Sequence, residues 1–210
     1  MEQEITEHLR GLFNPTAIII HGSRAVGRER AHSDWDIFLI YEEGAELSKN
    51  GRLVWQDQNI EYSHHTLPVE NIEDEFGVKL QFGRVLYQAN SEGAELLKQA
   101  KEFYQEPINW SDEHRESHRL WMKGRVDGMR DTVGQPLIFE RYASDFYARI
   151  TNYWYIAIHN THTKPIYLAL EEIQERDPDY FDLIIGFIES VDKIQKVQTA
   201  EKIMERCFGK

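Results

Sequence analysis

The stretch at residues 18–42, IIIHGSRAVGRERAHSDWDIFLIYE, constrains this chain more than any other part of the sequence. A first apolar run ends in Gly22-Ser23, and a second apolar run begins around Asp34 and Asp36 after ten intervening residues. Short, nearly continuous apolar runs bounded by polar residues are typical of strands buried on both faces. We therefore predict two central strands, over residues 17–21 and 35–41.

The Gly22-Ser23 pair predicts an anion site at the end of the first strand. A strand that runs into glycine and serine at the start of a helix leaves backbone N–H groups unpaired, and the helix dipole there favours negative charge. Glycine lets the backbone come close to a ligand because it has no Cβ, and the Ser23 hydroxyl either caps the helix or donates to a phosphate oxygen. Phosphate is the anion that we expect at this position.

Asp34 and Asp36 predict a metal site beside the phosphate. Side chains at i and i+2 of a strand leave the same face, so two like charges lie close together and their pKa values should rise unless a cation binds between them. Mg²⁺ suits carboxylates that also face substrate phosphates. A third carboxylate on a neighbouring strand would allow two ions about 3.5–4 Å apart. Glu61 is the candidate, whereas Asp57 is explained by a turn.

The rest of the first half predicts an α/β pattern. Pro68 should open a helix, and Ser91 should cap another that reaches about residue 104. The remaining predicted elements are a helix over 2–13, a hairpin with strands near 52–56 and 60–66 around the turn Asp57-Gln58-Asn59, and a strand over 84–89.

From residue 111 onward the apolar spacing becomes helical. One stripe of apolar residues at helical spacing continues from a first helix into a second. The helical pattern that follows is interrupted around Asp177-Pro178. The stripe comprises Met122, Val126, Met129 and Val133, then Phe139, Tyr142, Phe146, Ile150, Tyr153 and Ala157. We predict a mixed sheet with flanking helices over residues 1–106, followed by a bundle of four or five helices over residues 107–210.

Composition disfavours several classes of function. The formal net charge of -12 opposes binding to nucleic acid and to anionic membranes, and favours a cationic or neutral small substrate. No apolar stretch approaches the ~20 residues that span a bilayer. The amino-terminal residues MEQEITEHLRGLF are too charged for a signal peptide, so we expect a cytoplasmic protein.

Gly22-Ser23, ten residues, and then Asp34-Trp35-Asp36-Ile37 resemble the signature of the DNA polymerase β nucleotidyltransferase superfamily. The resemblance implies that Gly22 and Ser23 hold a nucleoside triphosphate, with Ser33 beside the first aspartate. It further implies that Asp34 and Asp36 bind two Mg²⁺ ions, and that Glu61 completes one metal site, although aspartate is common at that position.

The helical half is similar to that of the antibiotic adenylyltransferases of the kanamycin nucleotidyltransferase type. In that family a carboxylate of the helical domain takes the proton from the acceptor hydroxyl, and Asp127 is our candidate by position. Arg24 and Lys123 are candidates for phosphate contacts, with a solvated or locally paired cation as the alternative for each. Many such proteins dimerise, so a homodimer is also implied.

The expected activity is transfer of a nucleoside monophosphate, AMP by preference, from Mg²⁺-NTP to a hydroxyl of a small molecule such as an aminoglycoside. An antitoxin-type or regulatory enzyme that modifies or binds a partner protein is the first alternative. A nucleotide-binding regulator without turnover is the second. The acidic composition and the appended helical bundle favour a small-molecule acceptor, and the intact set of acids argues against a regulator without turnover.

Overall fold

The computed structural model describes residues 1–68, 75–108 and 110–209 of the chain. The chain folds as two compact units, Met1–Gln105 and Glu106–Lys210. Among the described residues, no helix is both long enough and apolar enough to cross a bilayer.

The amino-terminal unit is a five-stranded mixed sheet with helices on both faces. The strand order is β3-β4-β2-β1-β5, in which only β2 and β4 run parallel, and every other neighbouring pair is antiparallel. The elements are α1 (Glu2–Phe13), β1 (Ala17–His21), α2 (Gly22–Ala25), β2 (Trp35–Tyr41), β3 (Gly51–Trp55), β4 (Gln58–Thr66), α3 (Glu75–Leu80), β5 (Arg84–Gln88) and α4 (Glu92–Gln105).

The two central strands are buried on both faces, as their continuous apolar sequences predict. On one face Ile18, Ile20, Ile37 and Leu39 pack with Ile5 and Leu9 of α1. On the other face Ile19, Phe38 and Ile40 pack with Leu80 of α3 and with Leu96, Leu97 and Ala100 of α4. The start of β2, where the two aspartates lie, is therefore held by a core on each side of the sheet.

The predictions for this unit are confirmed for α1, β1 and β2, and for the strand that becomes β5. The hairpin is also present, but its predicted turn begins one residue too late and ends two residues too late. The chain turns at Gln56-Asp57, both with positive φ, and Gln58 and Asn59 already belong to β4. The predicted start of a helix at Pro68 concerns residues 69–74, which lie outside the described residues.

The carboxy-terminal unit is helical, and its described residues form five α-helices, in agreement with the predicted four or five. The helices are α5 (Asp112–Asp131), α6 (Pro136–Tyr153), α7 (Ile166–Arg176), α8 (Pro178–Glu189) and α9 (Lys193–Phe208), with a π-helical turn at Trp154–His159 after α6. The predicted stripe supplies much of the core, since Met122, Val126, Met129, Phe139, Phe146 and Ile150 are buried. Its continuation to Ala157 as one α-helix is wrong, because the backbone widens into the π-helical turn after Tyr153.

Asp177, at the predicted break between helices, accepts hydrogen bonds from the π-helical turn, α8 and α9. Its carboxylate caps α8 by accepting from the Tyr180 N–H at 3.2 Å, and it accepts from Trp154 Nε1 at 3.1 Å and from Arg206 Nη2 at 3.1 Å. Only 11% of the side chain is exposed, so the loss of this carboxylate leaves buried donors without a partner.

We predict that Asp177→Ala lowers the free energy of unfolding by about 2–4 kcal/mol, because a helix cap and a buried indole hydrogen bond are lost together. Urea unfolding of the full chain, followed by circular dichroism, measures this change. Asp179→Ala is the matched control, since Asp179 is exposed in the first turn of the same helix, and it should cost under about 1 kcal/mol. Equal costs for the two variants would contradict this role of Asp177.

Candidate active site

The turn at the end of β1 is built around contact with a carboxylate. Gly22 has a φ of +70°, which is rarely adopted by residues with a side chain, and a Cβ at this position would overlap the Asp36 carboxylate. The antiparallel register explains the approach, because His21 pairs with Asp36 across β1 and β2. Asp36 therefore lies directly against the Gly22 backbone, where only glycine leaves room for it.

The helix after Gly22 is shorter than the sequence suggests. α2 has only four residues, so its dipole is small, and an anion bound here would depend on local N–H and hydroxyl groups instead. Ser23 lies in this single turn, and its carbonyl accepts from the Arg28 N–H at 2.8 Å. The expected helix-dipole contribution to phosphate binding is therefore a minor one.

Asp34 and Asp36 lie at the start of β2, one immediately before the strand and the other at its second residue. Both are half-buried. Burial, followed by the negative charges of Glu61 and Asp34, raises the pKa of Asp36 from 3.8 to about 6. The predicted charge repulsion is thus present at Asp36, and a bound cation would relieve it.

Glu61 occupies the predicted place in the sheet but already has a cationic partner. It pairs with Asp36 in the parallel register of β2 and β4, which puts both side chains on one face. Its carboxylate also accepts from Arg52 on β3, at 2.8 Å from Nε and 2.5 Å from Nη2. Among the described residues, no group of three or more Asp, Glu, His or Cys side chains is arranged to hold a metal ion. Glu61 is thus the ion-pair partner of Arg52 in this structure, and the three-carboxylate metal site stays a prediction.

A cleft of about 300 Å³ opens beside these groups, within the amino-terminal unit. Its charged lining residues are Asp34, Glu61 and Arg52. The other lining residues are Leu53, Val54, Asn59 and Ile60. The volume lies at the lower end of the range for ligand sites, and the mixed charge suits a ligand that carries both phosphates and a metal ion.

Arg24, a predicted phosphate contact, and Ser33, predicted to lie beside the first aspartate, both contact the chain itself. The Arg24 guanidinium donates to the Ser33 carbonyl from Nη2 at 2.7 Å and to the Asp34 carbonyl from Nε at 3.2 Å. The Ser33 hydroxyl accepts from the Arg30 N–H at 2.8 Å. These contacts belong to the loop between α2 and β2, and a role of either residue in nucleotide binding stays a prediction.

Lys123 and Asp127 lie on α5 of the carboxy-terminal unit and pair with each other at 2.5 Å. Arg130 Nη1 also contacts the Asp127 carboxylate, at 2.6 Å. Hydrogen bonds from Lys123 and Arg130 lower the pKa of Asp127. A carboxylate with a lowered pKa is a weaker proton acceptor, so a role for Asp127 as the base would require these contacts to open.

Two residues beside the site were missed in the sequence. His21 is 8% exposed and stacks on Phe38 at 3.9 Å, and burial lowers its pKa to about 3, so the ring is neutral. The one sequence feature that could have indicated His21 is its position as a polar residue at the end of an apolar strand. Arg52 was missed because the predicted hairpin turn was misplaced. With the observed turn at Gln56-Asp57, the register of β3 and β4 pairs Arg52 with Glu61.

The amino-terminal unit is similar in sequence to a known family. Residues 3–101 match the sequence model of the family described as polymerase beta, nucleotidyltransferase. The amino-terminal unit is a polymerase beta-like nucleotidyltransferase domain. No curated protein sequence matches the chain significantly. Among solved structures, a nucleotidyltransferase-like protein from Exiguobacterium sibiricum 255-15 is 12% identical, with a TM-score of 0.48 over 99% of this chain and 74% of that one.

We predict that Gly22→Ala destabilises the nucleotidyltransferase domain more than Gly27→Ala does. Both glycines have nearly the same positive φ, +70° and +69°, but only at Gly22 does a Cβ meet another group. Gly27→Ala should cost about 1–2 kcal/mol for the backbone alone. Gly22→Ala should cost a further 1–3 kcal/mol, roughly, for the overlap with Asp36. Urea unfolding measures both, and equal costs would mean that Asp36 does not depend on Gly22 for its position.

We predict that Asp36→Asn is at least as stable as the wild type at about pH 7.5 in metal-free buffer. Because the folded pKa is raised to about 6, the stability that the protonated carboxyl contributes is complete below about 3.8 and is lost as the pH rises through 6. Asparagine does not titrate, so the stability difference should shrink towards about pH 4. Thermal unfolding across this range measures it, and a variant less stable than wild type at the higher pH would contradict the raised pKa.

Proposed function

We propose that this protein is a metal-dependent nucleotidyltransferase that moves a nucleoside monophosphate, AMP by preference, from Mg²⁺-NTP to a hydroxyl of a small molecule such as an aminoglycoside. The observation that carries the proposal is the position of Asp36. Its carboxylate lies against the Gly22 backbone and beside Glu61, in a domain of the nucleotidyltransferase family. The net charge of -12 favours a cationic acceptor over nucleic acid.

The residues at the start of β2 fit Mg²⁺. Mg²⁺ takes oxygen ligands and is usually held by one or two carboxylates together with substrate phosphates. The raised pKa of Asp36 marks a partly buried carboxylate whose charge Lys79 and Arg24 offset only in part. We propose that Asp34 and Asp36 would hold two ions and that Glu61 would complete one site after exchanging Arg52 for metal. When bound, the ions would neutralise charge on the attacking and leaving oxygens.

The chain's own groups would bind and orient the substrate. The Gly22 and Ser23 backbone and hydroxyl would contact the triphosphate, and Arg52, once released by Glu61, would add positive charge in the cleft. The acceptor oxygen would form a bond to the α-phosphorus while the bond to the pyrophosphate oxygen breaks. We propose that residues 107–210 bind the acceptor, with Lys123 near phosphate and Asp127 as the proton acceptor. Both roles require their mutual ion pair to open.

Transfer of label from each of the four NTPs, labelled at the α-phosphate, tests the proposal directly. With Mg²⁺ and a panel of aminoglycosides, we expect a labelled acceptor and an equal amount of pyrophosphate. Asp36→Asn should lower the rate by at least about a hundredfold, because charge neutralisation at the site is lost. Asp57→Asn is the matched control, since Asp57 is exposed in the β3–β4 turn at a φ of 60° that asparagine also adopts.

The outcomes separate the candidate functions. Label on a small acceptor supports the proposal, whereas label on a co-purified protein supports the partner-modifying alternative. Equal rates for Asp36→Asn and wild type would contradict a metal site at β2. Nucleotide binding without pyrophosphate release for any acceptor would favour the regulator.

A further inference from the structure

Arg24 connects the Gly22-Ser23 turn to the residues that carry the aspartates. Its Nη2 donates to the Ser33 carbonyl at 2.7 Å, and its Nε lies 3.2 Å from the carbonyls of both Ser33 and Asp34. These carbonyls belong to the two residues that enter β2. One side chain thus holds the two ends of the loop between α2 and β2 together.

The same guanidinium extends the connection to a third element through Trp35. Its central carbon lies 4.5 Å from the centroid of the Trp35 ring, within cation-π range, and only 6% of Trp35 is exposed. The indole Nε1 of Trp35 donates to Gln58 Oε1 at 3.2 Å, at the first residue of β4. Glu61 follows three residues later on that strand. The elements that carry Gly22, Asp36 and Glu61 are therefore linked by one continuous set of contacts.

Arginine is well suited to this position. A planar guanidinium presents several N–H donors in a fixed fork and also stacks on an aromatic face, whereas a lysine ammonium is a point charge that does not do both at once. The loop itself is closed by backbone contacts, since the Arg28 N–H donates to the Ser23 carbonyl at 2.8 Å and the Ser33 N–H donates to the Arg30 carbonyl at 3.0 Å. Arg24 adds the contacts that join this loop to the start of β2.

We propose that Arg24 is a positioning residue, which holds the Asp34–Asp36 segment at a fixed place relative to the Gly22-Ser23 turn and so sets the distance between the carboxylates and a bound triphosphate. The positioning of catalytic groups rests on the function proposed above, but the structural tie does not. A direct phosphate contact is the competing role for this guanidinium. The two roles can be distinguished, because only a positioning role affects the structure of the protein without bound nucleotide.

Hydrogen–deuterium exchange of the free protein tests the tie without any activity. In Arg24→Gln, backbone amides within residues 31–36 should exchange at least about tenfold faster, because charge-assisted hydrogen bonds to two carbonyls are lost. Arg30→Gln is the matched control, since it removes the same charge from an exposed side chain of the same loop, and it should leave these rates unchanged. Unchanged exchange in Arg24→Gln would overturn the proposal. If that variant does not fold, Arg24→Lys decides, with faster exchange in the same segment expected.

Transfer kinetics separate positioning from phosphate binding. A positioning role predicts that Arg24→Gln lowers kcat by about tenfold or more and raises the Mg²⁺ concentration needed, with KM for NTP nearly unchanged. A phosphate contact predicts a raised KM with kcat unchanged, and that result would overturn the positioning role. If the wild-type protein transfers nothing, the proposed function fails, and the exchange measurement alone decides whether Arg24 holds the segment.

Discussion

The contact between the Asp36 carboxylate and the Gly22 backbone is the constraint on which the site depends. It requires glycine with a positive φ at the end of β1, and it requires β1 and β2 to pair in the register that puts His21 opposite Asp36. The two faces of these strands pack against different helices, so a slip by one residue would exchange side chains of different size between two close-packed cores. The packing of the domain core thus places the Asp36 carboxylate so close to Gly22 that a Cβ at residue 22 would overlap it.

The charges around this contact are unevenly balanced. Asp36 is half-buried next to Asp34 and Glu61, and its pKa is raised to about 6, whereas Glu61 is paired with Arg52 at the edge of the cleft. The free protein therefore holds one poorly compensated carboxylate and one that is neutralised by an exposed arginine. A metal ion that brings phosphates with it would stabilise the first and compete with Arg52 for the second. Replacement of Arg52 by a metal ion at Glu61 would make metal binding depend on the position of Arg52 in the β3–β4 hairpin.

Sequence reasoning recovered the features that depend on local patterns. The apolar runs gave both central strands, and the spacing of Asp34 and Asp36 gave their common position at the start of β2, because both follow from the period of a strand. The Arg52 ion pair depends on the hairpin register, and the misplaced turn hid it. The contacts of Arg24 with two carbonyls come from loop geometry, which residue types do not encode. The π-helical turn after Tyr153 likewise interrupts a stripe that reads as one continuous helix.

Thermal unfolding of wild type and Asp36→Asn with and without Mg²⁺, in the presence of ATP, GTP, CTP or UTP, is the most direct test of a shared metal and nucleotide site. A nucleotide at about 100 times its dissociation constant should add about 2.7 kcal/mol and raise the melting temperature by several degrees. We expect this rise only for the wild type, and only when metal and nucleotide are both present. An equal rise in Asp36→Asn, a rise without metal, or no rise with any nucleotide would contradict the site.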